Sequence, residues 1–397
     1  MHRVLVIHSL DDARAELRKI GVSGQGVEVM APKALGFAVK LCDVRVGAAN
    51  ILKQEMLGIG GDAAVARGVV EGRVAVSDVI LLGNPAKLGK LIRKLEHQTI
   101  FGLPGIADWL RTVTDDRRKR ILNCRGRKLD LCRPVLMGVL NVTPDSFSDG
   151  GHWLDPDKAI EHGRRMVSEG AALLDIGGES TRPGATVVSA DEEIARVTPV
   201  IRALAQSVDA PLCIDTRKAA VASAALEAGA HIVNDISALR HDPDMLPLLR
   251  EQADVPVILM HMQGEPGNMQ LHPHYDDTVH EVLGFFARRI EACVEGGISR
   301  ERLLLDPGIG FGKRHEDNLI LLKKLRELRT FGLPVALGAS RKSFLGRIDG
   351  SDTGDRLPGT LAVTALAAQG AADILRVHDV SANQQSLQTA LAILEVR

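Results

Sequence analysis

The chain has 397 residues, of which 45% are hydrophobic, 25% are charged and 3% are aromatic. This length fits one barrel of about 250 residues plus a smaller domain. The net charge of −1 gives no reason to expect nucleic acid as a partner. We expect no membrane partner, because no run of about 18 uncharged apolar residues occurs.

The five cysteines form no CxxC pair and no zinc spacing. An odd, scattered set in a chain of this size is typical of reduced thiols. The first residues also lack a basic region followed by a long apolar stretch, as a secretory signal would have. We therefore expect a cytoplasmic protein.

Residues 1–120 mix short apolar runs with helical stretches such as 48–56 and 86–96. They predict a separate small α/β domain, to which the sequence assigns no role. The segment GIGGDAAVARG (58–68) resembles a dinucleotide-binding glycine motif. It follows a helical stretch instead of a strand, so we discount that function.

Seven positive charges lie between Arg117 and Lys128. Such a run could contact a phosphate polymer or an acidic partner. We prefer the simpler interpretation, in which residues 121–133 are a solvated basic linker that docks on the acidic second half of the chain.

From residue 134 onward, short apolar runs alternate with amphipathic stretches. Near-continuous hydrophobicity is typical of strands that are covered on both faces. The eight runs are 134–142, 173–180, 211–216, 232–237, 256–262, 303–308, 334–340 and 374–380.

The stretches between the runs predict helices at 157–170, 190–206, 275–295 and 315–329. Ser189, with Glu192 three residues later, predicts a capping box. Eight alternating units favour a closed (β/α)8 barrel of the TIM type over residues 134–397. An open doubly wound sheet is the alternative.

Polar residues gather at the carboxyl ends of the predicted strands, where barrel enzymes hold their active sites. A single polar residue at a strand end is usually structural, whereas eight such ends together indicate a site. The residues are Asn141, Glu179, Asp215, Asn234, His261, Asp306, Ser340, Arg376 and His378.

The first two loops each suggest an ion or a charged ligand. Asn141 and Asp149 could hold Mg²⁺ through oxygen. Arg182 lies on a loop rich in Gly and Pro and suits a phosphate or carboxylate. Asp175 and Glu179 form a carboxylate pair, but anchoring of neighbouring loops explains them better than acid–base catalysis.

The later units suggest a heterocycle and an anion. Asp215, Asn234, Asp306 and Lys342 come from four units and share one rim, so they suit a flat, nitrogen-rich ring. Basic residues after strands seven and eight, Lys342, Arg376 and His378, would surround a phosphate.

Three further motifs are weaker. Residues 308–313, GIGFGK, lack the spacing of a nucleotide phosphate loop and predict a turn before a helix. His261 is expected to be a packing or hydrogen-bonding residue. His272 and His274 could bind a metal, but they lack a third ligand nearby.

Eight motifs in order resemble the signatures of the dihydropteroate synthase family, over about residues 134–397. They are LNVTPDSFSDGG, DIGGESTRPGA, IDTRK, VNDIS, MHMQG, LDPGIGFGK, GASRKS and RVHDV. One difference is Ala219, where family members often have proline. It changes a helix start and no ligand.

The resemblance implies a transferase that condenses a pterin pyrophosphate with 4-aminobenzoate, with sulfonamides as competitors. It implies that Asp215, Asn234, Asp306 and Lys342 hold the pterin. Asn141, Arg376 and His378 would hold pyrophosphate and Mg²⁺, with Asn141 as metal ligand. The implied 4-aminobenzoate site contains Phe147, Asp149, Thr181, Arg182, Pro183 and Ser340.

The resemblance further implies that Lys342, Asp306, Arg376 and His378 are catalytic and that the protein is a homodimer. Two alternatives share the barrel. A pterin-dependent methyltransferase would need no pyrophosphate site, and a non-catalytic pterin-binding protein would have lost the basic cluster. The segments STRPG, SRKS and RVHDV favour the synthase.

Overall fold

The fold is described from a computed structural model, which covers residues 5, 7, 9–114, 121–143, 156–180 and 187–396. The chain divides into two compact units, Met1–Asp116 and Arg117–Val396. The first unit ends close to the predicted boundary at residue 120. Within the described ranges, no helix is long and apolar enough to cross a membrane.

The first unit is a small α/β structure with a three-stranded antiparallel sheet in the order β1-β3-β2. Helices α3, α4 and α5 bury their apolar sides in a common core with the sheet. The elements are α1 (Leu10–Lys19), α2 (Gly24–Met30), β1 (Phe37–Arg45), α3 (Val46–Gly58), β2 (Asp62–Val65), β3 (Val76–Gly83), α4 (Pro85–Leu95) and α5 (Leu103–Thr114).

Strand β1 alternates between buried and exposed residues and contains a bulge near its end. Val39 and Leu41 are buried, and the register of β1 against β3 shifts between Leu41 and Val44. Asp43 has a φ of 52° at this bulge. Strict alternation along the strand would place Val44 on the solvent side. The extra residue of the bulge turns Val44 back to the core side. The GIGG segment follows α3, a helix, as predicted.

Residues 121–133, predicted to be a solvated linker, instead contain the hairpin β4 (Ile121–Cys124) and β5 (Arg127–Asp130). Leu122, Cys124 and Leu129 alternate with polar residues and are buried. They pack into the apolar base of the barrel. The basic residues between them hid this period-two pattern.

The second unit is the predicted (β/α)8 barrel. Its parallel strands are β6 (Val135–Asn141), β7 (Ala171–Gly177), β8 (Leu212–Asp215), β9 (Ile232–Asp235), β10 (Val257–Met260), β11 (Leu303–Asp306), β12 (Ala336–Leu337) and β13 (Ile374–Val377). They run in the order β11-β10-β9-β8-β7-β6-β13-β12. A parallel bridge between Leu305 and Val335 joins the two ends. The bridge excludes the open sheet.

Outer helices follow the strands. They are α6 (Pro156–Ser168), α7 (Ala190–Ser207), α8 (Ala219–Ala228), α9 (Met245–Glu251), α10 (Thr278–Glu295), α11 (His315–Lys323), α12 (Ser343–Asp349), α13 (Leu357–Ala367) and α14 (Val380–Glu395). The predicted helix at 315–329 becomes α11 followed by a 3₁₀ helix over Leu325–Phe331.

The predicted capping box at the start of α7 is half formed. The hydroxyl of Ser189 accepts a hydrogen bond from the backbone N–H of Glu192 at 3.2 Å. The carboxylate of Glu192 pairs with Arg196 one turn later. The serine therefore satisfies one of the free N–H groups at the helix start.

The base of the barrel is a cluster of apolar side chains, one from each barrel strand, together with the hairpin. We call it the base cluster. Its strand members are Met137, Leu173, Cys213, Ile232, Ile258, Leu304, Ala336 and Ile374. Since side chains alternate along a strand, residues two positions later lie on the same inner face.

Candidate active site

A charged layer lies directly above the base cluster. Its members each follow a base-cluster residue by two positions, and we call them the inner polar layer: Asp175, Asp215, Asn234, Asp306 and Arg376. Their strands, β7, β8, β9, β11 and β13, are spread around the barrel. Closure of the sheet therefore brings together residues that are distant in sequence.

Arg376 lies between two carboxylates of this layer. Its Nε donates to Oδ2 of Asp175, and its Nη2 donates to Oδ2 of Asp215 at 2.8 Å. Burial opposes the charge of Arg376. The two aspartates outweigh that effect and raise the pKa of Arg376 above its usual value.

Asp215 is an acid of this layer whose charged form is opposed by its surroundings. Burial, followed by the negative charge of Asp175, raises the pKa of Asp215 to about 7, although Arg376 opposes the shift. Its carboxyl group thus titrates near neutral pH. A perturbed acid in a barrel mouth is a candidate for a functional role.

Lys342 lies beside Asp306 at the end of the barrel where the carboxyl ends of the strands meet, which we call the mouth. Its Nζ donates to the carbonyl oxygen of Ile309 and lies 4.4 Å from the ring centre of Phe311. Burial lowers the pKa of Lys342 to about 8, and the charge of Asp306 opposes this shift. Burial also raises the pKa of Asp306.

The glycine-rich segment after β11 is a turn that leads into α11, as predicted. Gly308 and Gly312 have φ values of 64° and 58°. A Cβ atom at these positions would lie 2.0 Å from the carbonyl oxygen of His261 and 2.2 Å from that of Gln263. Only glycine allows this approach of the turn to the loop after β10.

His261 acts in packing and hydrogen bonding, in line with the prediction. Its Nδ1 lies 2.9 Å from Nζ of the buried Lys313, which also donates to the carbonyl oxygen of Phe311 at 3.0 Å. Burial and the Lys313 charge lower the pKa of His261 to about 2, so the ring is neutral. The pair anchors the turn that carries Phe311.

A small apolar cluster lies beside Lys342 and gives the mouth a nonpolar wall. Its sulfur-containing side chains are deformable and polarizable, which suits contact with a flat ring. The members are Ile236, Met260, Met262 and Met269, with Phe311 packed against them.

Ser340 and His378 come together at the ends of the seventh and eighth barrel strands. The Ser340 hydroxyl lies 3.0 Å from Nδ1 of His378 and accepts from its backbone N–H at 3.3 Å. Their neighbours are also joined, since Arg341 donates to Asp379 at 2.8 Å. Arg341 has a φ of 56°, a left-handed conformation that this ion pair helps to hold.

Glu179 serves as an anchor below the rim. Its carboxylate accepts from the backbone N–H of Val188 at 3.1 Å and from Lys218 at 3.1 Å. Lys218 also donates to the buried Glu193 at 2.6 Å. This agrees with the prediction that Glu179 anchors neighbouring segments.

Other predicted residues are less constrained. Asn141 is half-buried at the end of β6. His272 and His274 are exposed, and His274 pairs with Asp276 at 3.2 Å. Phe147, Asp149, Thr181, Arg182 and Pro183 lie outside the described residues.

Sequence reasoning gave too little weight to Asp175. This carboxylate is fully buried and bonded to both Arg376 and Asn234. The signal was present, because Asp175 follows the apolar Leu173 by two residues, as Asp215 follows Cys213. Lys313 and Phe311 were also missed, since their contacts depend on the turn's tertiary position.

The proteins that are similar to this chain agree with a ring-binding site in the mouth of the barrel. A family model described as "pterin binding enzyme" matches residues 137–378. Dihydropteroate synthase of Escherichia coli (strain K12) is 45% identical over 276 residues, which cover 70% of this chain and 97% of that protein.

One similar protein extends over the first unit as well. A probable bifunctional folylpolyglutamate synthase/dihydropteroate synthase of Haloferax volcanii is 39% identical over an alignment that covers 97% of this chain. The alignment covers 46% of that protein. The first unit of this chain thus has a counterpart beside a barrel of the same kind.

Two solved structures match the barrel. The Yersinia pestis dihydropteroate synthase, in complex with a sulfonamide drug, has a TM-score of 0.66 and 49% identity, covering 70% of this chain and 100% of that one. The Xanthomonas albilineans enzyme, in complex with 7,8-dihydropteroate, has a TM-score of 0.64 and 45% identity, with the same coverages.

Proposed function

Because this chain belongs to the pterin-binding enzyme family and acts as a dihydropteroate synthase, we propose that its substrate site is formed by Lys342 and four members of the inner polar layer, Asp215, Asn234, Asp306 and Arg376. The chain is a transferase of folate biosynthesis. It condenses 6-hydroxymethyl-7,8-dihydropterin pyrophosphate with 4-aminobenzoate to give 7,8-dihydropteroate and pyrophosphate. The similar proteins favour this activity over a pterin-dependent methyltransferase or a non-catalytic pterin-binding protein.

The pterin ring is assigned to Asp215, Asn234, Asp306 and Lys342. The observation that carries this assignment is their convergence from four units on one buried mouth. A carboxylate can accept two parallel hydrogen bonds from the N–C–NH₂ edge of a pterin. Lys342 supplies a donor for an acceptor atom of the ring, and Phe311 with the methionine cluster offers an apolar face.

In the reaction, the bond between the pterin CH₂ carbon and the pyrophosphate oxygen breaks, and pyrophosphate leaves with the electron pair. The amine nitrogen of 4-aminobenzoate then bonds to that carbon and loses a proton. We assign Arg376 and His378 to the departing anion, because positive charge stabilises it. Asp215 and Asp306 stabilise the positive charge that develops on the ring.

We propose that Asn141 would hold Mg²⁺ together with the pyrophosphate of the substrate. Asn141 offers one amide oxygen at the carboxyl end of β6, which is the end of the barrel that carries the inner polar layer. Magnesium is commonly held by one or two protein oxygens together with substrate phosphates. The described residues contain no group of three or more His, Cys, Asp or Glu placed to hold a metal alone. When bound, Mg²⁺ would supply positive charge to the phosphate oxygens.

The 4-aminobenzoate site is assigned to Ser340 and to the two loops that carry Phe147, Asp149, Thr181, Arg182 and Pro183. Ser340 is buried beside His378, next to the proposed pyrophosphate position. We expect sulfonamides to compete here, since the Yersinia pestis relative is known in complex with such a drug.

We further propose a homodimer in the cytoplasm. The consecutive outer helices α11, α12 and α13 expose large apolar side chains to solvent, namely Leu319, Ile320, Ile348 and Leu366. Where such side chains form one continuous patch, exposed apolar surface marks association sites. None of the five cysteines is in a disulfide, which suits a reducing compartment.

The deciding experiment is a condensation assay. Purified protein with Mg²⁺ and the pterin pyrophosphate should release pyrophosphate when 4-aminobenzoate is added, and 7,8-dihydropteroate should form in equal amount. A sulfonamide should reduce the rate in competition with 4-aminobenzoate. Failure to release pyrophosphate under these conditions would show that the assignment is wrong.

A further inference from the structure

Asp175 is a buried charge that the assigned substrate contacts do not include. It lies on β7 in the inner polar layer and is 0% exposed. Burying a carboxylate is costly unless hydrogen bonds and an opposite charge compensate for it. Asp175 therefore needs hydrogen-bond donors in the mouth. These contacts hold Asp175 in place, and they hold the donor side chains in place as well.

One oxygen of Asp175 receives two donors from different strands. Oδ2 accepts from Nε of Arg376 on β13 and from Nδ2 of Asn234 on β9, the latter at 3.3 Å. Both donors belong to residues assigned to substrate. A single atom thus links the group proposed for the pyrophosphate to a group proposed for the ring.

This geometry determines how Asn234 is turned. Because its Nδ2 donates to Asp175, its carbonyl oxygen Oδ1 is turned away from that carboxylate. An amide that presents its oxygen can accept a hydrogen bond from a pterin N–H. Without the Asp175 acceptor, the amide could rotate and present a donor instead.

We propose that Asp175 is a positioning residue for the condensation, which holds the Arg376 guanidinium and the Asn234 amide in the orientations that substrate requires. This inference rests on the proposed substrate site. Asp175 itself touches no reacting atom. Its contribution is preorganisation, since side chains that are held in place before binding need not be ordered during the reaction.

The same arrangement affects the charge of Asp215. The charged groups that act on Asp215 include Asp175 from β7, Arg376 from β13, Glu193 from α7, Asp235 from β9 and Lys342 at the start of α12. Asp175 and Asp215 both contact Arg376. Removing the negative charge at position 175 removes its repulsion of the Asp215 carboxylate, so Asp215 becomes easier to ionise.

The test compares Asp175→Asn, which keeps the side-chain size, with Asp373→Asn as a matched control. Asp373 is also a buried aspartate of the barrel, paired with Arg329 at 3.0 Å and with the backbone N–H of Val335 at 2.7 Å. It lies at the amino end of β13, away from the mouth. Both variants replace a buried charge by an amide.

We expect Asp175→Asn to lower kcat by about 10²-fold, as misplaced catalytic groups do, and to raise the KM for the pterin pyrophosphate. The KM for 4-aminobenzoate should change less. The acid side of the pH profile of kcat/KM for the pterin substrate should move to lower pH, because Asp215 ionises more readily. Asp373→Asn should retain the wild-type profile.

The outcomes are distinct. If the wild-type protein does not condense the substrates, the proposed function is wrong, and the positioning role is wrong with it. If wild type is active and Asp175→Asn matches Asp373→Asn in kcat, KM and pH profile, the inference is overturned. A second variant, Asp175→Ser, leaves room for water and guards against misfolding. Loss of folded structure in both Asp175 variants, seen by circular dichroism, would also overturn it.

Discussion

Lys342 shows how burial changes the chemistry of a single residue. Its ammonium group is close to Asp306 and to the Phe311 ring, and its pKa is lowered to about 8 mainly because of burial. Asp215 shows the opposite case, a carboxyl whose pKa is raised to about 7. These two shifts place an acid and a base with similar pKa values in one mouth, and they therefore predict a narrow pH range for activity.

Replacing Lys342 with alanine should reduce kcat/KM for the pterin pyrophosphate by roughly 10- to 150-fold, because a hydrogen bond from a buried charged donor contributes about 1.5–3 kcal/mol and each 1.36 kcal/mol is a factor of ten. Steady-state kinetics would measure this. Lys324→Ala is the control, since Lys324 is exposed on the outer surface beside Glu327. Equal effects of the two changes would contradict the assignment.

The pH profile of kcat/KM for the pterin substrate should be bell-shaped. The value of kcat/KM should rise as Asp215 loses its proton at about pH 7. It should fall as Lys342 loses its proton at about pH 8. Initial rates between about pH 5 and 10 would show both limbs. Asp215→Asn should remove the acid limb, and a flat wild-type profile would refute the assignment of these two groups.

Among the elements, the hairpin β4–β5 stands out because its sequence is basic while its role is structural. Arg127 donates to the carbonyl oxygens of Val208 at 2.9 Å, Ala210 at 2.6 Å and Ala205 at 3.1 Å, at the end of α7. Arg125 does the same at the end of α8, through Leu226 and Ala230. Cations at helix carboxyl ends are favourable because they satisfy free carbonyls and oppose the helix dipole.

Arg127→Ala should therefore destabilise the barrel by about 1–3 kcal/mol, since three carbonyl acceptors lose a charged donor. Thermal unfolding should show a lower Tm, while the KM values stay close to those of the wild type. Lys128→Ala is the matched control, because Lys128 is exposed on the same hairpin. A Tm unchanged by Arg127→Ala would argue against this capping role.

At the level of the whole molecule, the two units differ in how much function can be assigned to them. The inner polar layer, Lys342, Ser340 and His378 all belong to the unit Arg117–Val396. The Escherichia coli relative aligns over 97% of its own length with only 70% of this chain. A barrel of this family thus needs no counterpart of the first unit for its chemistry.

A truncated chain that begins at Arg117 should fold and condense the two substrates with kcat within a few-fold of the full chain. Starting there keeps the hairpin, whose Leu122 and Leu129 close the base cluster. A chain that begins at Val135 should be less stable, because those apolar residues are lost. If the Arg117 chain folds but is inactive, the first unit takes part in catalysis.

The sequence by itself determined the barrel and the rim of polar residues. Both depend on local patterns: apolar runs of strand length, helical periodicity between them, and a polar residue where each run ends. The eight predicted strands are all present, and Asp215, Asn234, Asp306 and Arg376 lie together as expected.

Only the tertiary structure decided which of these groups pair. Asp175 and Arg376 are 201 residues apart, and their contact exists because β7 and β13 both flank β6 in the closed sheet. The hairpin's burial likewise depends on an open barrel base that its own sequence does not encode. Such contacts arise from chain closure over long separations, and local pattern carries no information on them.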